Sequence, residues 1–437
     1  MTAIYSQPSS VVSQVRRQTI GGLPFYFEVG VLPVVCTVGL LAFGGLPVAA
    51  PADVGMSADR LQAIDRIVER GIAAGGFPGA SVVVGRRGAA VWSKGYGRLT
   101  WGERAAPVSA DSTVYDLASL TKVVATTAAA MVLYDRGRLS LDAPVHRYLP
   151  AFVGRGRERV TVRDLLTHRS GLPAGRDLWR VAGTPSEARR QVLRTGLVRA
   201  PGRRAEYSDV GADVLGFVVE AAAGEPLDRF VRRTVYAPLG MHDTGFRPPR
   251  AWRARTAPTE VTPPRGRPLR GEVHDENAHA LGGVAGHAGL FGTAADLAVL
   301  AQTLLNGGEF HGVRVFSDSA VRLFTTDAGG WRGLGWQTCQ GSGSCGLQLS
   351  DRAYGHTGFT GTSLWIDPER ELFVIVLTNW VHNPAGHRYR PIAVLADVRA
   401  DIADVAGLSV MDGPGVKPMP RELRVEAGNG WPAVAAR

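Results

Sequence analysis

Lysine is almost missing from this chain of 437 residues. Of its 49 basic residues only Lys94, Lys122 and Lys417 are lysines, and the other 46 are arginines. The net charge of +10 is therefore an arginine charge, and it is scattered (Arg155, Arg157, Arg159, Arg163; Arg203, Arg204; Arg250 to Arg270). No zinc-knuckle spacing and no aromatic RNA-binding signature accompany it, so no nucleic-acid partner is expected and the excess reads as a preference for arginine codons. There is no internal repeat, which excludes a solenoid or propeller. No His-x-x-x-His helix pattern occurs, which removes the commonest helical metal signature. What is present fits a soluble globular protein: 45% hydrophobic and 20% charged residues, in a chain long enough for one large domain or two interleaved ones.

Charge is absent altogether between Glu28 and Asp53, over "VGVLPVVCTVGLLAFGGLPVAAPA". Arg16 and Arg17 precede this run, and Ala49, Ala50 and Ala52 close it, as in an export signal or a single membrane anchor. Pro33, Pro47 and Pro51 and the glycines of the run argue against a buried core helix. Cys36 lacks the small preceding residue of a lipoprotein signal, so lipidation is not expected. Residues 1–52 are thus read as signal peptide or anchor, 53–408 as the folded domain, and the Gly/Pro-rich residues 409–437 as a loose tail. Export would permit a disulfide between Cys339 and Cys345, which flank "QGSGS" at an expected hairpin tip; two free thiols in a flexible loop are the alternative.

Residues 57–75 carry apolar residues at helical spacing from a serine cap to a glycine stop. "GASVVVGRRGAAVWSKGYG" (79–97) reads as a hairpin turning at Arg87-Gly88, and 116–137 as a helix ending at Gly137. Gly- and Pro-rich helical and loop segments follow to about residue 330. "GLGWQTC", "LQLSDRAYGHTG", "TSLWIDPE" and "RELFVIVLTN" then read as consecutive antiparallel strands, the last apolar enough to be central. The expected fold is α+β, with an antiparallel sheet built from both ends of the chain, flanked by helices and enclosing an inserted, mainly helical region.

Three short stretches carry the chemistry. In "DLASLTKVVATTAAAMVLYDRG" (116–137), Ser119 sits at a helix start, where free N–H groups favour developing negative charge. Lys122 lies one turn on, within reach of the serine oxygen. Val, Ala and Leu around it should desolvate the amine and lower its pKa, giving a neutral base that arginine could not supply. "EYSDVGADVLGFVVEAAAG" places Tyr207, Ser208 and Asp209 at the mouth of another helix, and a tyrosine can relay protons. "YGHTGFTGTSLWID" places His356, Thr357 and Gly358 at the start of a strand, with glycines that let a substrate carbonyl approach backbone N–H groups.

Ser-x-x-Lys, Tyr-Ser-Asp and His-Thr-Gly, together with "LLTHRSGL" (165–172) and "GGVAGHAGLFGTAADLA" (282–298), resemble the serine β-lactamase and penicillin-binding protein superfamily. The resemblance spans roughly residues 55–405 and is closest to the class C-like branch with its carboxypeptidases, amidases and esterases. It implies a β-lactamase/transpeptidase-like fold with Ser119 as acylated nucleophile, Lys122 as base and Tyr207 as partner acid/base. It further implies an oxyanion hole from the N–H groups of Ser119 and Phe359, and substrate contacts from Asp209, His356, Thr357, Gly358 and Phe359. Two positions depart from the family pattern: Asp209 replaces an asparagine and His356 a lysine. An imidazole with its ordinary pKa of about 6.5 would leave little positive charge at pH 7. Poor β-lactam hydrolysis is expected, with KM for carboxylate-bearing substrates rising with pH. No carboxylate is assignable as a separate deacylation base.

"GEVHDENAHALGGVAGHAGLF" (271–291) resembles a signature of the penicillin-binding-protein-4B-like and muropeptide amidase subfamily. His274, Asp275, Glu276, His279 and His287 are candidate metal ligands by residue type, but the glycines around them favour a loop at the substrate rim. No metal or cofactor is expected. The chain therefore reads as an exported or outward-facing anchored serine hydrolase, expected to be a monomer, acting on cell-wall peptide amides as a carboxypeptidase or muropeptide amidase. The alternatives are a broad esterase or weak β-lactamase, and, in a different class, a non-catalytic penicillin-recognition or sensor domain.

Overall fold

The computed structural model describes residues 42–262, 265–341, 343–382 and 392–413. Its first elements are the paired strands Ala42–Phe43 (β1) and Leu46–Pro47 (β2). Gly79–Arg86 (β3) and Ala89–Gly97 (β4) form the expected hairpin, and Arg87 and Gly88 both take left-handed φ (50° and 84°), as a two-residue turn demands. Tyr115–Asp116 (β5), Gly245–Phe246 (β6) and Leu290–Gly292 (β7) make a small sheet in the order β5-β7-β6. Glu309–Phe310 (β8) pairs with Val313–Arg314 (β9). Gln337–Thr338 (β10), Tyr354–Thr357 (β11), Thr362–Asp367 (β12) and Leu372–Thr378 (β13) complete the main antiparallel sheet, ordered β10-β11-β12-β13-β3-β4. The first and last thirds of the sequence thus share one sheet, joined where Leu372–Thr378 pairs with Ala80–Arg86.

β3 and β13 are buried on both faces, which is why they read as continuous apolar runs. Val82, Val84, Val374 and Val376 pack with the helices Ala63–Ala73 and Ile392–Ser409 on one side. Val83, Phe373, Ile375 and Leu377 join, on the other side, the core of the inserted region, which includes the helices Ala128–Asp135, Asp209–Ala223 and Ala294–Leu305.

Several sequence expectations are corrected. The helix expected over 57–75 is two, Ala58–Leu61 and Ala63–Ala73, the first capped by the Ser57 hydroxyl. The helix expected from 116 to Gly137 opens with a 3₁₀ turn (Ala118–Leu120) and a π turn (Lys122–Thr127) before becoming α-helical. Residues 347–353 form no strand. Asp404 accepts the N–H groups of Leu347 and Gln348, and Asp367 that of Ser350, so these donors never reach a ladder. Cys339 and Cys345 are disulfide-bonded (Cα–Cα 5.7 Å), but they enclose short 3₁₀ turns rather than a hairpin tip.

The leader expected over 1–52 lies outside the described residues as far as 41. Its last residues belong to the folded body, because Phe43 and Leu46 are buried in the main core. Of the residues expected as a tail from 409, the first are tied to the folded body, since Val410 bridges to Met56 and Asp412 pairs with Arg86 at 2.7 Å, while 414–437 lie outside the described residues. Among the described residues no helix is long and apolar enough to cross a membrane.

Candidate active site

Ser119 lies three residues beyond the end of β5, and its approach is bent. Ala118 takes φ 45°, a conformation unfavourable for a residue with a Cβ, and the buried Asp116 carboxylate holds it there by accepting the Ala118 N–H at 2.9 Å. The same carboxylate accepts the His274 N–H at 2.7 Å. Burial pushes the Asp116 pKa up, and these two donors act against that. The 3₁₀ and π turns then bring the Lys122 Nζ to 3.0 Å from Ser119 Oγ.

Tyr207 comes from the entrance to the helix Asp209–Ala223, where Ser208 is the N-cap and accepts the Gly211 N–H. Its hydroxyl donates to Ser119 Oγ at 2.8 Å, and Lys122 Nζ lies 4.7 Å from its ring centroid. Lys122 also donates to the His287 carbonyl at 3.1 Å and forms an ion pair with Asp209 Oδ1 at 2.7 Å.

This corrects the expected charge state of the lysine. Burial does pull its pKa down, but Tyr207 and Asp209 outweigh that and hold it above the ordinary lysine range, so Lys122 is an ammonium at neutral pH. Asp209, expected among the substrate contacts, is engaged by Lys122.

His356 is also corrected. Its Nδ1 lies 2.7 Å from the Thr357 carbonyl, its ring centroid is 5.9 Å from that of Tyr207, and its Nε2 is buried with no partner. Burial, reinforced by the charges of Arg332 and Lys122, lowers its pKa to about 3. It is a neutral imidazole throughout the range where it was expected to titrate.

Gly358 begins the turn between β11 and β12. A Cβ there would lie 2.5 Å from the Leu117 carbonyl oxygen, so only glycine lets the turn press against the segment leading to Ser119. Thr360 and Thr362 fasten this contact by donating to the carbonyls of Asp116 (2.6 Å) and Leu117 (3.0 Å). Among the described residues, the N–H groups of Ser119 and Phe359 donate to no protein acceptor. The Phe359 side chain is 53% exposed. The structure therefore puts Lys122 and Tyr207 on the serine oxygen, Asp209 on Lys122 and His356 beside the Tyr207 ring, and the turn that Thr357, Gly358 and Phe359 lead into presses on the segment before Ser119.

Sequence reasoning missed the support behind Lys122. His287 is sandwiched between Asp213 Oδ1 (2.7 Å from Nδ1) and Asp275 Oδ1 (3.0 Å from Nε2). Burial works against its protonation, but the two carboxylates overcome it and raise its pKa well above the ordinary value. Asp213 also accepts the Gly286 N–H at 3.0 Å, so one carboxylate fixes the loop whose carbonyl receives Lys122. The helical spacing of Asp209 and Asp213 was the available signal, since it puts two acids on one face.

The loop at 274–277 is a latch rather than a rim alone. His274 bonds Glu260 at 2.8 Å and stacks on Phe359 (5.7 Å between ring centroids), Asp275 reaches His287, and Asn277 accepts the Leu178 N–H. Glu276 opens the short helix Glu276–Ala280, and His279 lies 3.8 Å from Glu272. Among the described residues, no three such side chains converge as a metal-ligand set. Arg332, likewise unanticipated, lies over the Tyr207 ring at 5.5 Å.

A serine, a lysine and a tyrosine hydrogen-bonded in this way, on an antiparallel sheet with an inserted helical region, define a serine hydrolase of the β-lactamase/transpeptidase fold. The sequence profile of the family described as Beta-lactamase matches residues 64–399, and the chain belongs to this family. An Escherichia coli (strain K12) protein named "Putative D-alanyl-D-alanine carboxypeptidase" is 34% identical over 398 residues, covering 81% of this chain and 90% of its own. Among solved structures, the hydrolase EstCE1, described as having promiscuous acyltransferase activity, superposes with a TM-score of 0.63 at 24% identity, covering 79% of this chain and 98% of its own. A penicillin-binding protein homologue from Caulobacter crescentus gives a TM-score of 0.63 at 22% identity, over 81% and 99% of the two chains.

Proposed function

We propose that the protein is an exported acyl-enzyme hydrolase of cell-wall peptides, acting as a D-alanyl carboxypeptidase or muropeptide amidase. The observation that carries this reading is Ser119 Oγ receiving hydrogen bonds from both Lys122 (3.0 Å) and Tyr207 (2.8 Å). The named function of the E. coli relative supports both the substrate class and the export.

In this mechanism Ser119 Oγ attacks the scissile carbonyl, whose oxygen sits between the N–H groups of Ser119 and Phe359. With substrate bound, the Tyr207 O–H turns from Ser119 to the leaving nitrogen, so that the tyrosine oxygen takes the serine proton as it gives its own to that nitrogen. The C–N bond breaks and the amine departs, leaving an ester on Ser119. Water then attacks that ester and returns a proton along the same route, releasing the acid. Lys122 acts as a fixed positive charge that stabilises the negative charge building on the two oxygens, and not as the neutral base expected from its apolar neighbours.

A neutral His356 favours a second reading, an esterase for substrates without a carboxylate beside the scissile bond. The same neutrality makes efficient β-lactam turnover unexpected. A non-catalytic sensor would have no use for Tyr207 bonded to the serine. Turnover of muropeptides, D-Ala-D-Ala peptides, nitrophenyl esters and nitrocefin, compared across wild type, Ser119→Ala and Tyr207→Phe, tests these readings. Loss of all turnover in Ser119→Ala and a drop of about 10²-fold in Tyr207→Phe are expected. Labelling by a fluorophosphonate that persists in Ser119→Ala would sink the proposal.

A further inference from the structure

The helix Ile392–Ser409 packs behind the sheet, yet Arg399, one of its residues, reaches the active-site turn. The Arg399 side chain is buried, and its Nη2 donates to the carbonyl oxygens of Gly358 (3.0 Å) and Thr362 (2.6 Å). Among the described residues no carboxylate pairs with it, and its Nε has no partner. Burial alone lowers its pKa to about 9, which leaves it charged at neutral pH.

An unpaired buried charge is costly, and a neutral donor could brace a helix to a turn just as well. The position of the charge suggests why it is kept. The Gly358 carbonyl and the Phe359 N–H belong to the same peptide group. A cation bonded to the carbonyl oxygen draws electron density through the amide and makes the N–H a stronger donor. The Gly361 N–H bonds the same carbonyl oxygen at 3.1 Å and adds to this polarisation.

We propose that Arg399 is a positioning residue for the oxyanion hole: it orients and polarises the Gly358–Phe359 peptide so that the Phe359 N–H binds the developing oxyanion more strongly. Arg399 never touches the substrate. The proposal rests on the assignment of Ser119 as nucleophile and Phe359 N–H as oxyanion donor.

The test uses the full chain and 4-nitrophenyl acetate labelled with ¹³C at its carbonyl. Steady-state kinetics, thermal unfolding and isotope-edited infrared spectra of the acetyl-enzyme are compared for wild type, Arg399→Lys and Arg399→Gln. Arg399→Gln should lower kcat by about tenfold with KM nearly unchanged, less than the 10²-fold that loss of a whole oxyanion donor costs. It should also move the acetyl carbonyl band to higher frequency, a change that a purely structural brace would not produce. Arg399→Lys, which keeps the charge, should stay within about threefold of wild type and keep the wild-type band.

An unmoved band in folded Arg399→Gln, with only its melting temperature lowered, overturns the role given to Arg399. Should Arg399→Gln not fold, Arg399→Lys decides: a tenfold loss of kcat with the wild-type band refutes polarisation. Ester turnover that survives in Ser119→Ala would remove the Ser119 reading itself, and this proposal with it.

Discussion

His356 gives the sharpest test of the site's electrostatics. Its imidazole is held at a pKa of about 3 by burial, with Arg332 and Lys122 adding repulsion. Moving it there from an ordinary 6.5 corresponds to about 5 kcal/mol of preference for the neutral ring in the folded state. The sign follows from proton binding. Between pH 6.5 and about 3 the unfolded chain carries a proton at this position and the folded chain does not. The contribution to stability is therefore complete above the unfolded pKa and is lost as pH falls through that window. Replacement by glutamine removes the titration. Urea unfolding of wild type and His356→Gln at pH 7.5, 6.5, 5.5 and 4.5 should show the stability difference between them constant above pH 7. Below about pH 6 it should shift against wild type by about 1.4 kcal/mol per pH unit. Enzyme kinetics should agree, with KM for a carboxylate-bearing substrate flat between pH 5.5 and 8 as far as this residue controls it. His356→Lys should bring a folding penalty rather than tighter binding of carboxylates, since an ammonium placed there meets the same burial and the same two cations. A stability difference independent of pH, or an imidazole NMR titration centred near 6.5, would refute the reasoning.

Asp209→Asn removes one of the two groups that hold the Lys122 pKa up, so that pKa should fall and the alkaline limb of kcat/KM should move to lower pH. At neutral pH the loss should stay within about tenfold, because the pair is partly solvated; an unmoved alkaline limb would return Lys122 to the role of neutral base. Gly286→Ala would place a Cβ 2.0 Å from the Ala212 carbonyl oxygen, displacing the loop whose next carbonyl receives Lys122. A loss of kcat of at least about tenfold is expected, with destabilisation of roughly 1–3 kcal/mol from overpacking; wild-type kcat in a folded variant would detach that loop from Lys122. Replacing Cys339 and Cys345 by serine opens a loop with a sequence separation of 6 and should cost about 2 kcal/mol in urea unfolding. An unchanged unfolding midpoint would show that Asp404 and Asp367 hold the segment unaided.

What the sequence disclosed depended on how far apart the cooperating residues lie. The hairpin at 79–97 and the serine cap at Ser57 are local, and both were legible. Ser119, Lys122, Tyr207 and His356 stood out because each sits in a short stretch of recognisable chemistry. The charge on Lys122 did not, because the neighbours visible in sequence are Val, Ala and Leu, whereas the deciding carboxylate is Asp209, which a different helix delivers. His287 looked like a possible ligand among glycines until Asp213 and Asp275 enclosed it from two other segments. The residues at 347–353 have a strand's composition, but carboxylates distant in sequence capture their backbone donors. Arg399 resembles any other arginine of an arginine-rich chain.

The sharing of one sheet by both ends of the chain has a consequence for biosynthesis. Ser119 and Tyr207 emerge early from the ribosome, but the strand pairing that brings the Gly358–Phe359 turn to the serine requires β13 to dock on β3, and Arg399 is made later still. A nascent chain halted anywhere before residue 400 would carry the nucleophile without the turn fastened from behind. Reactivity toward acyl donors should therefore appear abruptly, near the end of synthesis, and not grow with chain length. Pairings so distant in sequence also fold slowly, so the serine should become competent only some time after the chain is complete.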